Sequence, residues 1–143
     1  MNILGLTTCQ TNLSHLADSL GVHVRTAPTP AGLWAVYDHR HELITMRPGL
    51  GSNQYISTLA HELGHAHYGH IGHSAKAERQ ADRWAAKKLL TFQALSEAAD
   101  LTLDTTAVAA ELGVLPWVVK TFIGTLDIHQ TQILLEKVRG HHA

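Results

Sequence analysis

Apolar residues recur along this chain at two different periods. Over residues 12–20, Leu13, Leu16 and Leu20 share one side of a helix that Gly21 ends. Short alternating runs follow at 22–25, 33–37 and 43–47, and these read as strands. Pro28, Pro30 and Gly32 mark the turn between the first two, and residues 38–41 mark a second turn. The last two strands are therefore expected to pair as an antiparallel hairpin. Trp34 and Tyr37 are expected to pack it, and its edge could take an extended peptide by strand addition.

After residues 48–51 the helical period returns. Ser52 or Asn53 can cap a helix reaching about Tyr68, residues 69–73 form a loop, and Ser74 can cap a helix over 75–90. Residues 92–138 read as three or four short helices, broken at 101–104, 113–116 and 124–127. Strands first and helices afterwards predict an α+β fold. In it a short antiparallel sheet packs on a long helix, and the C-terminal part is helical. Residues 1–143 are expected to form one domain, with the sheet and two long helices in 10–90 and a helical extension in 91–143.

Composition alters this picture at one point. Apolar residues make up 45% and charged residues 16%, with a formal net charge of −1, which argues against a general polyanion binder. The twelve histidines, however, outnumber the eleven lysines and arginines, and five of them fall between His61 and His73. His15, His23 and His129 read as scattered polar positions, and His141 and His142 as a frayed terminal pair. Cys9 stands alone, so neither an intrachain disulfide nor a cysteine-based zinc site is expected. The apolar run at 3–6 is too short for a signal peptide, and no stretch approaches the roughly 20 apolar residues of a membrane span. A reducing cytoplasm is the expected compartment.

His61, Glu62 and His65 spell H-E-x-x-H. On a helix two imidazoles four residues apart reach one ion, with the glutamate beside it. With Ser57 set at zero, His61 and His65 fall near about 40° and 80° and Glu62 near about 140°, bordering an apolar arc of Ile56, Leu59, Leu63 and Ala66. His41-Glu42-Leu43 copies the first three letters, but Thr45 stands where the second histidine is needed.

A catalytic zinc ordinarily has three protein ligands and an open position. A third histidine in the spacing H-E-x-x-H-x-x-G-x-x-H would need glycine at 68 and histidine at 71, where the chain has Tyr68 and Ile71. The next helix offers a carboxylate instead. Lys76, Arg79, Arg83 and Lys87 make a solvated stripe, and Glu78, Asp82, Ala85 and Leu89 lie opposite it. Two acids facing inward among alanines and leucine are costly unless they bind metal or find a partner. Glu78 is thus the expected third ligand, and Asp82 the acceptor that orients a ligand histidine.

HELGH followed by ERQADRWAAKKLL resembles the ImmA/IrrE-type zinc metallopeptidases, compact relatives of the gluzincins. The resemblance spans roughly residues 10–125 and is strongest over 58–90. It implies a small zincin-like domain with zinc on His61, His65 and Glu78 and with Glu62 as catalytic base. It also implies a protein substrate, since members with known roles are intracellular proteases that cut helix-turn-helix repressors in mobile elements or stress responses. Leu90-Thr91-Phe92 departs from the methionine-proline that ordinarily ends the second helix.

A zinc-bound water at His61, His65 and Glu78 would attack the scissile carbonyl with Glu62 as proton carrier. Manganese or cobalt could occupy the same ligands. Tyr68, His70 and His73 are the candidate oxyanion or substrate contacts. Residues 105–123 have the cadence of a helix-turn-helix with Gly113 at the turn. Lys120 is the second helix's single cation, and Asp100, Asp104, Glu111 and Asp127 surround it, so direct DNA binding is not expected. A helical pair beside the cleft fits better. The rival to an endopeptidase is a non-catalytic metal-binding module that holds a partner protein, and the intact Glu62 favours the enzyme.

Overall fold

A computed structural model describes residues 8–102 and 104–142; the run at 3–6 and position 103 lie outside the described residues, as do the side chains of Cys9, His141 and His142. The elements run α1 (Thr8–Ser19), β1 (His23–Thr26), β2 (Ala35–Asp38), β3 (Leu43–Met46), α2 (Ser52–Tyr68) and α3 (Ala75–Leu89). Then come α4 (Phe92–Leu101), α5 (Thr105–Leu112), α6 (Pro116–Ile123) and α7 (Ile128–His142). This is the expected α+β order, with helices throughout the C-terminal part.

The sheet is mixed rather than antiparallel. Its order is β1-β3-β2: β2 and β3 form the expected hairpin, but β1 pairs in parallel with β3, His23 opposite Leu43 and Thr26 opposite Met46. A short turn makes β2 and β3 neighbours through local chain geometry. The place of β1 depends on a crossover that periodicity cannot report. β3 lies centrally, and Ile44 and Met46 are fully buried against α2. Trp34 does not pack the hairpin as expected; it precedes β2 and stands at the surface of a groove described below.

Gly51, not Ser52 or Asn53, precedes the first turn of α2, and its N–H donates to the Gln54 side chain at 2.8 Å. Gly69 ends α2 in the left-handed region (φ 68°), which a residue with a Cβ adopts only at a cost. Ser74 caps α3 as expected, accepting from Ala77 N–H at 3.0 Å. α3 buries Ala77, Ala81, Trp84 and Ala85, and Lys76, Arg79, Arg83 and Lys87 are exposed. The two helices meet at Gly64, where a Cβ would come within 2.9 Å of the Cα and carbonyl oxygen of Ala81. No bulkier residue would allow this approach.

Two buried clusters result. One joins α1, the sheet, α2 and α3; the other joins the end of α3 to α4, α5 and α6, and Leu89 and Trp117 pack against both. Leu90 enters the second cluster and Thr91 caps α4 through Ala94 N–H, so the chain turns here without the family's methionine-proline. α5 and α6 are bent by 104° at Gly113, as the helix-turn-helix cadence suggested. No single helix among the described residues is long and apolar enough to cross a membrane.

The fully buried Ser57 Oγ accepts from Leu115 N–H at 3.0 Å, tying α2 to the start of α6. Ser57→Ala is expected to cost about 1–3 kcal/mol by orphaning that N–H. Urea melts would read the loss, and unchanged stability would show that water replaces the hydroxyl.

Candidate metal centre

His61 and His65 stand one turn apart on α2, with their Nε2 atoms 3.1 Å apart and rings edge to face. From the first turn of α3, Glu78 brings Oε2 to 2.9 Å from His61 Nε2 and Oε1 to 3.3 Å from His65 Nε2. One donor atom from each residue lies within 4.8 Å of the others, and this group could hold a metal ion.

The surrounding hydrogen bonds determine what those atoms present. Asp82 Oδ1 accepts from His61 Nδ1–H at 2.8 Å. Gln80 Oε1 accepts from His70 Nε2–H at 2.9 Å, which leaves His70 Nδ1 to accept from His65 Nδ1–H at 2.9 Å. Both ligand-side Nε2 atoms of the neutral rings therefore carry lone pairs, facing a carboxylate. Three acceptors converge with no donor between them. That is unfavourable unless a cation or a shared proton lies among them. Donors about 2.0–2.1 Å from an ion in tetrahedral geometry stand roughly 3.3 Å apart. The two Nε2 atoms, 3.1 Å apart, approach that separation, and the Glu78 oxygens reach them at 2.9 Å (Oε2) and 3.3 Å (Oε1), so either oxygen is within range of an ion on the imidazoles.

Local pKa values follow from burial and charge. Burial works to lower the His61 pKa, but the Asp82 hydrogen bond and the charges of Glu62, Asp82 and Glu78 outweigh it, and the net shift is upward. His65, 2% exposed, is shifted downward by burial and then by His61. Burial also works to raise Glu78, yet the His73 hydrogen bond and the neighbouring imidazoles bring it below its ordinary value.

Glu62 differs from the other acids. It is 8% exposed, and its Oε2 has no hydrogen-bond partner among the described residues. Burial pushes its carboxyl above the usual range, with His61 pulling the other way. A buried carboxylate with one oxygen unpartnered beside a metal-shaped cluster is placed to exchange a proton with something that enters the site.

The remaining expected residues are distributed differently. Glu78 and Asp82 are not enclosed among alanines; their side chains are 37% and 38% exposed. The α2–α3 contact runs through Ala81, so the acids flank it and open onto the cleft. His70 has both ring nitrogens engaged, with His65 and Gln80. Tyr68 is exposed and stacks on His70 at 5.2 Å. His73, on the loop, donates from Nδ1 to Glu78 Oε1 at 3.0 Å. The imitation motif lies in the turn before β3, with Glu42 at φ 49° and His41 bonded to Asp38, far from helical geometry.

Three residues of the site lie outside the expectation from sequence: Gly64, Gln80 and Trp117. Gly64 opposite a stripe of Ala77, Ala81 and Ala85 was a legible sign of close helix packing. Gln80 and Trp117 gave no comparable sign.

A helix bearing two histidines and a glutamate, completed by a carboxylate from the next helix, defines a metallopeptidase-like site. The chain belongs to the IrrE N-terminal-like domain family of peptidases (Peptidase_M78), whose model matches residues 17–122. No curated protein and no solved structure matches it.

Asp82→Ala is expected to weaken divalent-metal binding by about 10–100-fold, because the His61 ring loses the acceptor that holds its orientation. Competition against a fluorescent chelator measures this. Equal affinity in the variant would show that His61 is held by packing alone.

Proposed function

We propose that the protein is a zinc-dependent endopeptidase that cleaves a cytoplasmic regulator, with a helix-turn-helix repressor as the substrate class. In this reading His61, His65 and Glu78 hold the ion, and Glu62 is the general base. Bound there, zinc would lower the pKa of water to about 7 and polarise the scissile carbonyl. The observation that carries the reading is the buried, unpartnered Glu62 oxygen next to three converging acceptors.

The chain's own groups then divide the work. Glu62 takes a proton from the attacking water and delivers it to the leaving amine. Asp82 and the His70–Gln80 pair hold the two imidazoles with their Nε2 lone pairs inward. His70 is therefore assigned to orienting His65 rather than to the oxyanion. The Tyr68 hydroxyl, and His73 Nε2 in the imidazolium form that has both ring nitrogens protonated, are the proposed donors to the developing negative charge. The outer edge of β2 can align an extended peptide by backbone pairing. Direct DNA binding has no part in this reading.

Incubating the zinc-loaded chain with helix-turn-helix repressors from the same genome, with products identified by mass spectrometry, tests the proposal. A defined cut that a chelator abolishes supports it. Intact repressors throughout, with zinc bound, overturn it in favour of a partner-binding module.

Zinc competes with protons for the same ring nitrogens. The raised His61 pKa means that the protonated ring stabilises the metal-free fold below the unfolded-state pKa, and that this stabilisation is lost as pH rises through the folded value. Zinc requires the neutral ring. The zinc-induced rise in Tm is thus expected to grow as pH increases through neutrality, which calorimetry at a series of pH values would show.

A further inference from the structure

Beside the metal cluster lies a groove of about 360 Å³ lined by Trp34, Thr58, His61, Asp82, Leu115 and Trp117. Its walls come from two distant parts of the chain: Trp34 precedes β2, and Leu115 and Trp117 begin α6. The Trp117 ring stands edge-on to His61, with centroids 6.1 Å apart. Because His61 is itself a wall, a side chain filling the groove belongs to a residue next to whatever group sits at the cluster.

We infer that this groove is a specificity pocket that takes a large apolar side chain flanking the scissile bond. The inference rests on the endopeptidase reading for its substrate, though not for the pocket. Two indoles and a leucine present mostly apolar surface, which binds apolar side chains by excluding water. The one carboxylate, Asp82, already accepts from His61 Nδ1. A basic side chain is disfavoured by the adjoining groove, where Arg79, Arg83 and Lys120 line up beyond Asp82. None of these three has an ion-pair partner among the described residues. Their field repels a second cation from Asp82. The volume, at the small end for ligand sites, suits one side chain rather than a cofactor.

The test has two arms. In the first, end-blocked tetra-alanine peptides carrying one Leu, Phe or Lys, or none, are titrated into the nitrogen-15-labelled full chain without zinc. The indole N–H signals of Trp34 and Trp117 should move with Leu and Phe peptides and not with Ala or Lys peptides. Trp84, stacked on His67 away from the groove, should stay still. In the second, the zinc-loaded chain cuts a position-randomised peptide mixture. Apolar residues should be preferred over alanine at one flanking position by about 10–200-fold in kcat/KM.

Trp117→Ala should abolish that preference, and because Trp117 packs on both cores, the surface substitution Trp34→Ala should also reduce it with the fold intact. Unresponsive indoles, or cleavage with no apolar preference, overturn the pocket but leave the peptidase standing. Responsive indoles without any cleavage sink the peptidase and retain the pocket.

Discussion

Glu62→Gln is expected to leave zinc bound and to lower peptide cleavage by about 10²–10⁴-fold, the usual worth of a positioned proton carrier. Glutamine has nearly the same shape but cannot take up the proton of the attacking water. The three converging donor atoms belong to His61, His65 and Glu78, so the ion should remain. Stability should not fall, since the wild-type carboxylate is buried with one oxygen unpartnered and a neutral amide costs less to bury. Cleavage rates, metal content and Tm measured together separate these effects. Undiminished cleavage would remove Glu62 from the mechanism. A biological effect that survives in the inactive variant would instead favour the partner-binding module.

Gly64→Ala should damage the metal centre without touching a ligand. The new methyl group would lie 2.9 Å from both the Cα and the carbonyl oxygen of Ala81. Backbone atoms cannot rotate away, so α3 must retreat along its contact with α2. Overpacking of this kind costs about 1–3 kcal/mol. The better helix propensity of alanine returns about 1 kcal/mol. The net loss of stability is therefore about 0–2 kcal/mol, and metal affinity is the more sensitive measurement. Glu78 reaches His61 and His65 at 2.9 and 3.3 Å, separations that a shift of a few tenths of an ångström already spoils. A loss of about 10–100-fold in affinity is expected, comparable to removal of a supporting residue. Adding Ala81→Gly should not restore binding, because the obstructing atoms are backbone. Restoration would show that side-chain crowding alone was responsible.

Much of the site was readable because helical spacing is rigid. Histidines four positions apart have their two rings on one face wherever that helix is found, and the basic stripe of α3 left its acids on the other side. The hairpin was readable for a similar reason, a short turn between alternating runs. The exposure of Glu78 and Asp82 was not, since a helical wheel orders directions around an axis without saying which direction meets a neighbour. The parallel pairing of β1 was hidden because nothing local records a crossover. Trp34 followed the strand pattern, yet it lines one groove with Trp117, a residue more than eighty positions away along the chain.

The residue order alone therefore determined the elements, the motif helix, the choice of His61, His65 and Glu78, and the family. These depend on interactions within one or two turns of a helix or across a tight turn. The tertiary structure alone decided that the His70–Gln80 pair aims His65, that Gly64 meets the backbone of Ala81, and that Trp117 walls the cleft. Each of these depends on distances between segments far apart in the chain, and such distances are set only when the cores close.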